Sequence, residues 1–239
     1  MIEKLIPLLG NLPKDELLKI LQNFIESPFS SFSNILTVGQ LAFYIKSYLR
    51  KKMPWLYPEW KFWDNIDKFF NSGILSDDDK RKLIGKLSNE KEKQEIGRRI
   101  IDIIGNIDTA KKLVYIINAT KAWVNDAIDR PLYFRICHVV SVSLDEDLQF
   151  LSEHIDDAGD MPYSIEINGL QITGLACHNA TDKEGNPLYI FTPLSRAVNE
   201  YAIKAGANFI ENFNINEPPI KETSDEEFQN MINEIFSKN

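Results

Sequence analysis

Two stretches decide how the second half of the chain is read: Asn168-Gly169-Leu170-Gln171-Ile172-Thr173-Gly174-Leu175, and further on Tyr189-Ile190-Phe191-Thr192-Pro193-Leu194-Ser195-Arg196. The β-capable runs 175–179 and 188–192 are separated by Thr181-Asp182-Lys183-Glu184-Gly185-Asn186-Pro187, whose Asp, Gly, Asn and Pro are turn residues. This pattern predicts a β-hairpin. Pro193, placed at a first helical turn, then predicts a helix reaching about residue 205.

Upstream of the hairpin the signals are helical. A turn-rich break, Asp156-Asp157-Ala158-Gly159-Asp160, precedes a short segment at 163–173. Before it, Ser143 and Glu146 predict a capping box for a helix over 144–155, and Pro131 falls in the first turn of a helix over 129–142. Asp108 is the expected N-cap of a helix over 109–125. Ile96, Ile100, Ile103, Ile104 and Ile107 lie on one helical stripe, preceded by an all-polar run, 89–94, read as a loop or frayed end. Ser76 and Asp79 form a capping arrangement, with Asp77, Asp78 and Asp79 set against the positive end of a helix dipole. Earlier still, helices are expected over 14–25, 38–53 and 59–71, the last closed by Gly73. Past the hairpin, Pro218-Pro219 breaks the tail before a terminal helix capped by Ser224 and Glu227.

Helices near 131–142, 144–155 and 163–173, then a hairpin, then a helix, follow the order of a winged-helix domain. The two stretches quoted first resemble the end of winged-helix transcription regulators. There a Gly-Leu step closes the third helix and an aromatic strand runs into Thr-Pro-Leu-Gly-Arg. The resemblance covers about a third of the chain, and Ser195 stands where the glycine is usual. It implies a winged-helix-like unit with a small hairpin at 108–206; with the helical region read at 1–107 and the acidic tail at 207–239, the fold expected is mainly α. The richness in Lys, Ile and Asn resembles the product of an AT-rich bacterial, phage or mobile-element genome, and the middle of the chain resembles uncharacterised proteins of that kind.

Charge argues against the usual task of such a domain. The 239 residues carry a net charge of −8, divided as +3 over 1–107, −6 over 108–210 and −5 over 211–239. Neutralising phosphate supplies most non-specific affinity for nucleic acid, and an acidic unit with an acidic tail lacks that term. A third helix entering the major groove would offer Asn168 and Gln171 to base edges, with Arg196 nearby, but no Lys or Arg lies between Tyr163 and Leu175. Arg130, Arg135, Arg196 and Lys204 are the cations that could gather on one face. A DNA-binding regulator is thus the alternative rather than the leading expectation.

The first half has the opposite texture. Lys46, Arg50, Lys51 and Lys52 precede Trp55, Tyr57, Trp60, Phe62 and Trp63, so three of the four tryptophans fall within nine residues. The block suits a protein-binding surface, or a peripheral membrane anchor in which cations meet anionic headgroups. The reading preferred is a small aromatic core with solvated cations, because large aromatics bury readily in small helical domains. The 19 residues 27–45 bear no formal charge, but seven Ser, Thr, Asn and Gln residues and Pro28 argue against a spanning helix.

Chemistry-bearing motifs are scarce. Cys137-His138 and Cys177-His178 hold the ligand types of a zinc site, yet adjacent residues on a helix or strand point apart, so buried cysteines beside surface histidines are expected. The Asp156–Asp160 turn and the 182–186 turn lack EF-hand spacing. Glu146 and Asp147 read as solvated, and no glycine-rich phosphate loop occurs. No metal or cofactor is expected. Two cysteines and no opening signal sequence lead to an expected cytoplasmic location. The function expected is a non-enzymatic interaction or adaptor protein, with a protein partner or self-association through its oppositely charged halves.

Overall fold

A computed structural model describes Lys46 and residues 57–86, 90–157 and 159–206. The helices expected at 14–25 and 38–53, apart from Lys46, and the acidic tail with its terminal helix lie outside these residues. The described part is mainly helical, with a small antiparallel sheet. It belongs to two compact units divided between Gly105 and Asn106.

In the first unit, α1 (Tyr57–Asn71), α2 (Asp77–Gly85) and α3 (Glu90–Gly105) supply the core. Trp63, Ile66, Phe69 and Phe70 of α1 are buried, as are Leu83 of α2 and Ile96, Ile100 and Ile104 of α3. Asn65 donates to the carbonyl of Ile104 at 3.1 Å, and the ring of Phe62 covers Gly105, so α1 and α3 are both packed and pinned. Gly73, with φ of +78°, takes the left-handed turn that ends α1. The capping box forms as read: Ser76 Oγ accepts from Asp79 N at 3.1 Å and Asp79 Oδ2 accepts from Ser76 N at 3.0 Å. The polar run at 89–94 differs from its reading, because residues 90–94 are the start of α3. Glu, Lys and Gln are good helix formers, and a polar run of them does not end a helix.

The second unit is built on α4 (Ala110–Val124), which is buried on almost every face. Its N-cap is Thr109 rather than Asp108, with the hydroxyl accepting from Lys112 N at 3.2 Å. Asp108 instead pairs with the buried Lys112 ammonium at 2.9 Å. Helix α5 (Arg130–Val142), N-capped by Asp129, stacks Tyr133 on Trp123 with ring centroids 4.7 Å apart. Then come α6 (Asp145–His154), β1 (Met161–Pro162), α7 (Ile165–Ile172), β2 (Ala176–Thr181), β3 (Pro187–Phe191) and α8 (Pro193–Val198). The chain continues from α8 as a π-helical turn, Asn199–Ile203, and a 3₁₀ turn.

The sheet order is β1-β3-β2, all antiparallel, with Cys177 opposite Ile190 and Met161 opposite Tyr189. Strand β1 was not expected: two residues are too few to leave a periodic signal. The hairpin turn is held by Asp182, whose carboxylate accepts from the backbone N–H of Glu184 and of Asn186, each at 2.8 Å, while Gly185 takes φ of +90°. Thr192 caps α8 and bonds the Gly174 carbonyl at 2.9 Å, and Ser195 donates to the carbonyl of Leu175. The run from 192 to 195 thus ties the last helix to the residues that leave α7.

The box expected from Ser143 and Glu146 does not form. Ser143 ends α5, its N–H bonding the Val139 carbonyl, and its buried hydroxyl has no partner among the described residues. The start of α6 is displaced by one residue, so Leu144 is the N-cap and the side chain three residues later, Asp147, reaches back to the Leu144 N–H.

Candidate protein-interaction surface

Helix α7 spans eight residues, and each face carries only two large side chains. Ser164 fixes its start by accepting from Ile167 N at 3.2 Å. Ile167 and Leu170 point inward and are fully buried. Ile165 and Ile172, seven residues apart and therefore on one line of the helix, point outward at 76% and 78% exposure. Half-buried Asn168 and Gly169 lie between them, one to each side of that line. Leu144, the α6 N-cap, is 63% exposed, and Val142 and Tyr163 are also exposed. Every exposed large apolar side chain among the described residues falls between 142 and 172.

This surface lies in a stretch without cations. From Ile136 to Asp182 the sequence has no Lys or Arg and nine carboxylates. One of the nine, Asp147, is buried where the first turn of α6 crosses Gly169. Burial raises its pKa above the ordinary 3.8, the Leu144 N–H opposes that rise, and Glu166 and Glu146 add to it. Its reading as a solvated side chain is therefore corrected: only Glu146 of the adjacent pair is exposed. The half-buried Asp145 accepts from the Thr109 hydroxyl at 3.3 Å.

The DNA-contact candidates fall on two elements. Gln171 is exposed on α7, Asn168 is half-buried beside it, and Arg196 is exposed on α8. Of the other cations singled out, Arg130 and Arg135 are on α5, and Lys204 is bound to Asp156 at 3.1 Å. None lies on α6, β1, α7 or β2.

The first-half candidates are only partly described. Lys46 is not a free surface cation: its ammonium lies 2.9 Å from Asp64 and 3.0 Å from Asp67. Burial works against its charge, but the two carboxylates outweigh that and raise its pKa. Tyr57 and Trp60 have backbone positions on α1, without described side chains. Arg50, Lys51, Lys52 and Trp55 lie outside the described residues. Trp63 is 4% exposed, so for this tryptophan the core reading holds.

Cys137 is buried on α5 with His138 exposed beside it. Cys177 corrects the expectation of two buried cysteines: it is exposed, as is His178. β2 is an edge strand with an irregularity between His178 and Ala180, and only its first residue is buried. An exposed His154–Asp157 pair, at 2.7 Å, was also not anticipated. No group of three or more His, Cys, Asp or Glu among the described residues could hold a metal, and no helix among them is long and apolar enough to cross a membrane.

Comparisons with protein-family models, with curated proteins and with solved structures give no match to this chain.

Proposed function

We propose that the chain is a non-enzymatic interaction or adaptor protein whose winged-helix-like second unit offers the α6–α7 surface to a polypeptide. One observation carries this reading. The outward line of α7, which would enter the major groove in a DNA regulator, carries two isoleucines more than three-quarters exposed within a stretch lacking any cation. Desolvating Ile165 and Ile172 against an apolar partner is favourable, whereas phosphate would meet carboxylates and isolated apolar surface. Exposed apolar residues with a polar surround are the ordinary make-up of a protein-binding patch.

The test is affinity purification of the whole chain from its native cell, comparing wild type with Ile165→Ser/Ile172→Ser. A polypeptide retained by wild type and lost with the double variant is expected. The DNA-binding alternative predicts salt-dependent duplex binding lost on replacing Gln171 and Arg196. Duplex binding that survives physiological salt, with no polypeptide recovered, would replace the adaptor reading by that one.

A further inference from the structure

We infer that the α7 surface takes one kind of occupant, a cationic amphipathic helix of a partner protein; this deepens the reading above and rests on it. Ile165, Asn168, Gly169 and Ile172 occupy positions i, i+3, i+4 and i+7. On a helix four such positions surround a hole, but here the Asp147 carboxylate fills the space beside Gly169. A partner therefore meets two projecting isoleucines flanked by carboxylate rather than an open hole. The isoleucines are about 10 Å apart along the axis, the spacing at which a facing helix presents its own i and i+7 residues. An incoming strand finds less here, because the backbone groups within α7 are committed to the helix.

The second half of the argument is charge. Glu166 lies about 100° round the helix from Ile165, on the side where Asp147 covers Gly169, while Asn168 and Gln171 flank the other side. Glu146 is exposed on the first turn of α6, and Asp145 is half-buried on it. Glu166 and Glu146 both act electrostatically on Asp147, which lies against Gly169, whereas Asp145 is bonded to Thr109. A helix seated on the isoleucines thus runs beside Glu166 and Glu146, with no Lys or Arg in the stretch 136–182 to offset them. Lys and Arg flanking its apolar line complement that edge. A second copy of the same surface would bring carboxylate against carboxylate, so an isologous dimer through α7 is disfavoured. The occupant is thus apolar along one line and basic beside it.

The test uses the full chain and two designed peptides of about 18 residues, long enough to hold helix. Both carry leucine on one face; one has lysine and the other glutamate on the polar face. Binding is measured by calorimetry at an ionic strength of about 0.15 M. The lysine peptide is expected to bind the wild-type chain and to weaken at least about tenfold against Ile165→Ser/Ile172→Ser. It should weaken several-fold against Glu146→Gln/Glu166→Gln, and the glutamate peptide should not bind. All these positions are exposed or half-buried, so the variants are expected to keep the fold. Equal affinity for the Ile variant and wild type would mean simple charge attraction and would overturn the inference. So would equal binding of the two peptides, or binding of neither. Such a result leaves the broader reading standing if affinity purification still recovers an α7-dependent polypeptide, and both fall if it recovers none.

Discussion

The carboxylate of Asp147 occupies the space that a side chain on Gly169 would need: a Cβ built on Gly169 would lie 2.7 Å from the carboxyl carbon of Asp147. The same carboxylate accepts from the Leu144 N–H, so one residue both starts α6 and sets its approach to α7. Because Leu144 is exposed at the start of α6 and Ile165 and Ile172 are exposed on α7, the Asp147–Gly169 contact sets these two parts of the proposed surface relative to each other.

Replacing Gly169 by alanine should therefore cost stability, although alanine is the better helix former by about 1 kcal/mol. The methyl group displaces Asp147 from the Leu144 N–H, and overpacking of this kind costs roughly 1–3 kcal/mol. In an Asp147→Ala background the obstruction is gone, and Gly169→Ala should become stabilising. Urea denaturation of the four members of this cycle reads the reversal; the same sign in both backgrounds would refute the contact's role.

Two carboxylates should respond to acid in opposite directions. Asp147 has a folded pKa above its ordinary 3.8, owing first to burial and then to Glu166 and Glu146. The folded state binds that proton more tightly than the unfolded chain does. Its contribution to stability thus rises as pH falls through the folded value, and levels off below the unfolded one. Asp64 is the reverse case: burial works against its charge, but Lys46 and Lys68 outweigh it and hold the pKa below 3.8. Its contribution is complete above 3.8 and is lost as pH falls through the folded value. Asp147→Asn should abolish the acid-side gain above 3.8 without altering the loss below it, as followed by urea midpoints across pH 3–7 (about 3 to 7, spanning the carboxylate range).

Lys46→Met should lower stability. Asp64 and Asp67 are 3% and 7% exposed, and removing their shared cation leaves buried negative charge that Lys68, 3.0 Å from Asp64, only partly offsets. A cost of about 2 kcal/mol or more is expected, since breaking a buried pair from one side is expensive. Adding Asp67→Asn should recover part of it. A thermal melt checks both; an unchanged melt for Lys46→Met would restore this lysine to the free surface.

Ser195→Ala should cost about 1 kcal/mol, because the buried hydroxyl donates to Leu175 and joins α8 to the start of the hairpin. Ser195→Gly, restoring the residue usual in the resembled regulators, should cost at least as much. Either variant matching wild type in urea would show the bond to be dispensable.

The helix ends were the most legible part of this chain. Ser76–Asp79, Asp129 with Pro131, and Pro193 mark helix starts within three or four adjacent residues and could be read locally, whereas the N-cap expected at Asp108 is Thr109 and the cap at Thr192 was not read. The displaced start of α6 was not legible, because Ser143 was already used to end α5 and the cap fell to Leu144, which has no capping oxygen. The hairpin was readable from Asp182 and Gly185, whereas β1 gains its identity only by pairing with Tyr189 and Leu188. The site was hardest to see. In Tyr163–Leu175, Ile165, Ile167, Leu170 and Ile172 surround a short helix with apolar residues, and no periodicity says which pair faces water. The absence of cations was plain in the sequence. That two isoleucines stand exposed there became visible only with the fold.

The central claim is that the exposed line of α7 meets polypeptide rather than nucleic acid. A photo-crosslinking amino acid at position 172, irradiated in the native cell and followed by separate protease and nuclease digestion of the adduct, tests it most directly. The account predicts an adduct removed by protease and untouched by nuclease, and absent when the same group is placed at buried Ile167. An adduct that nuclease removes would contradict it.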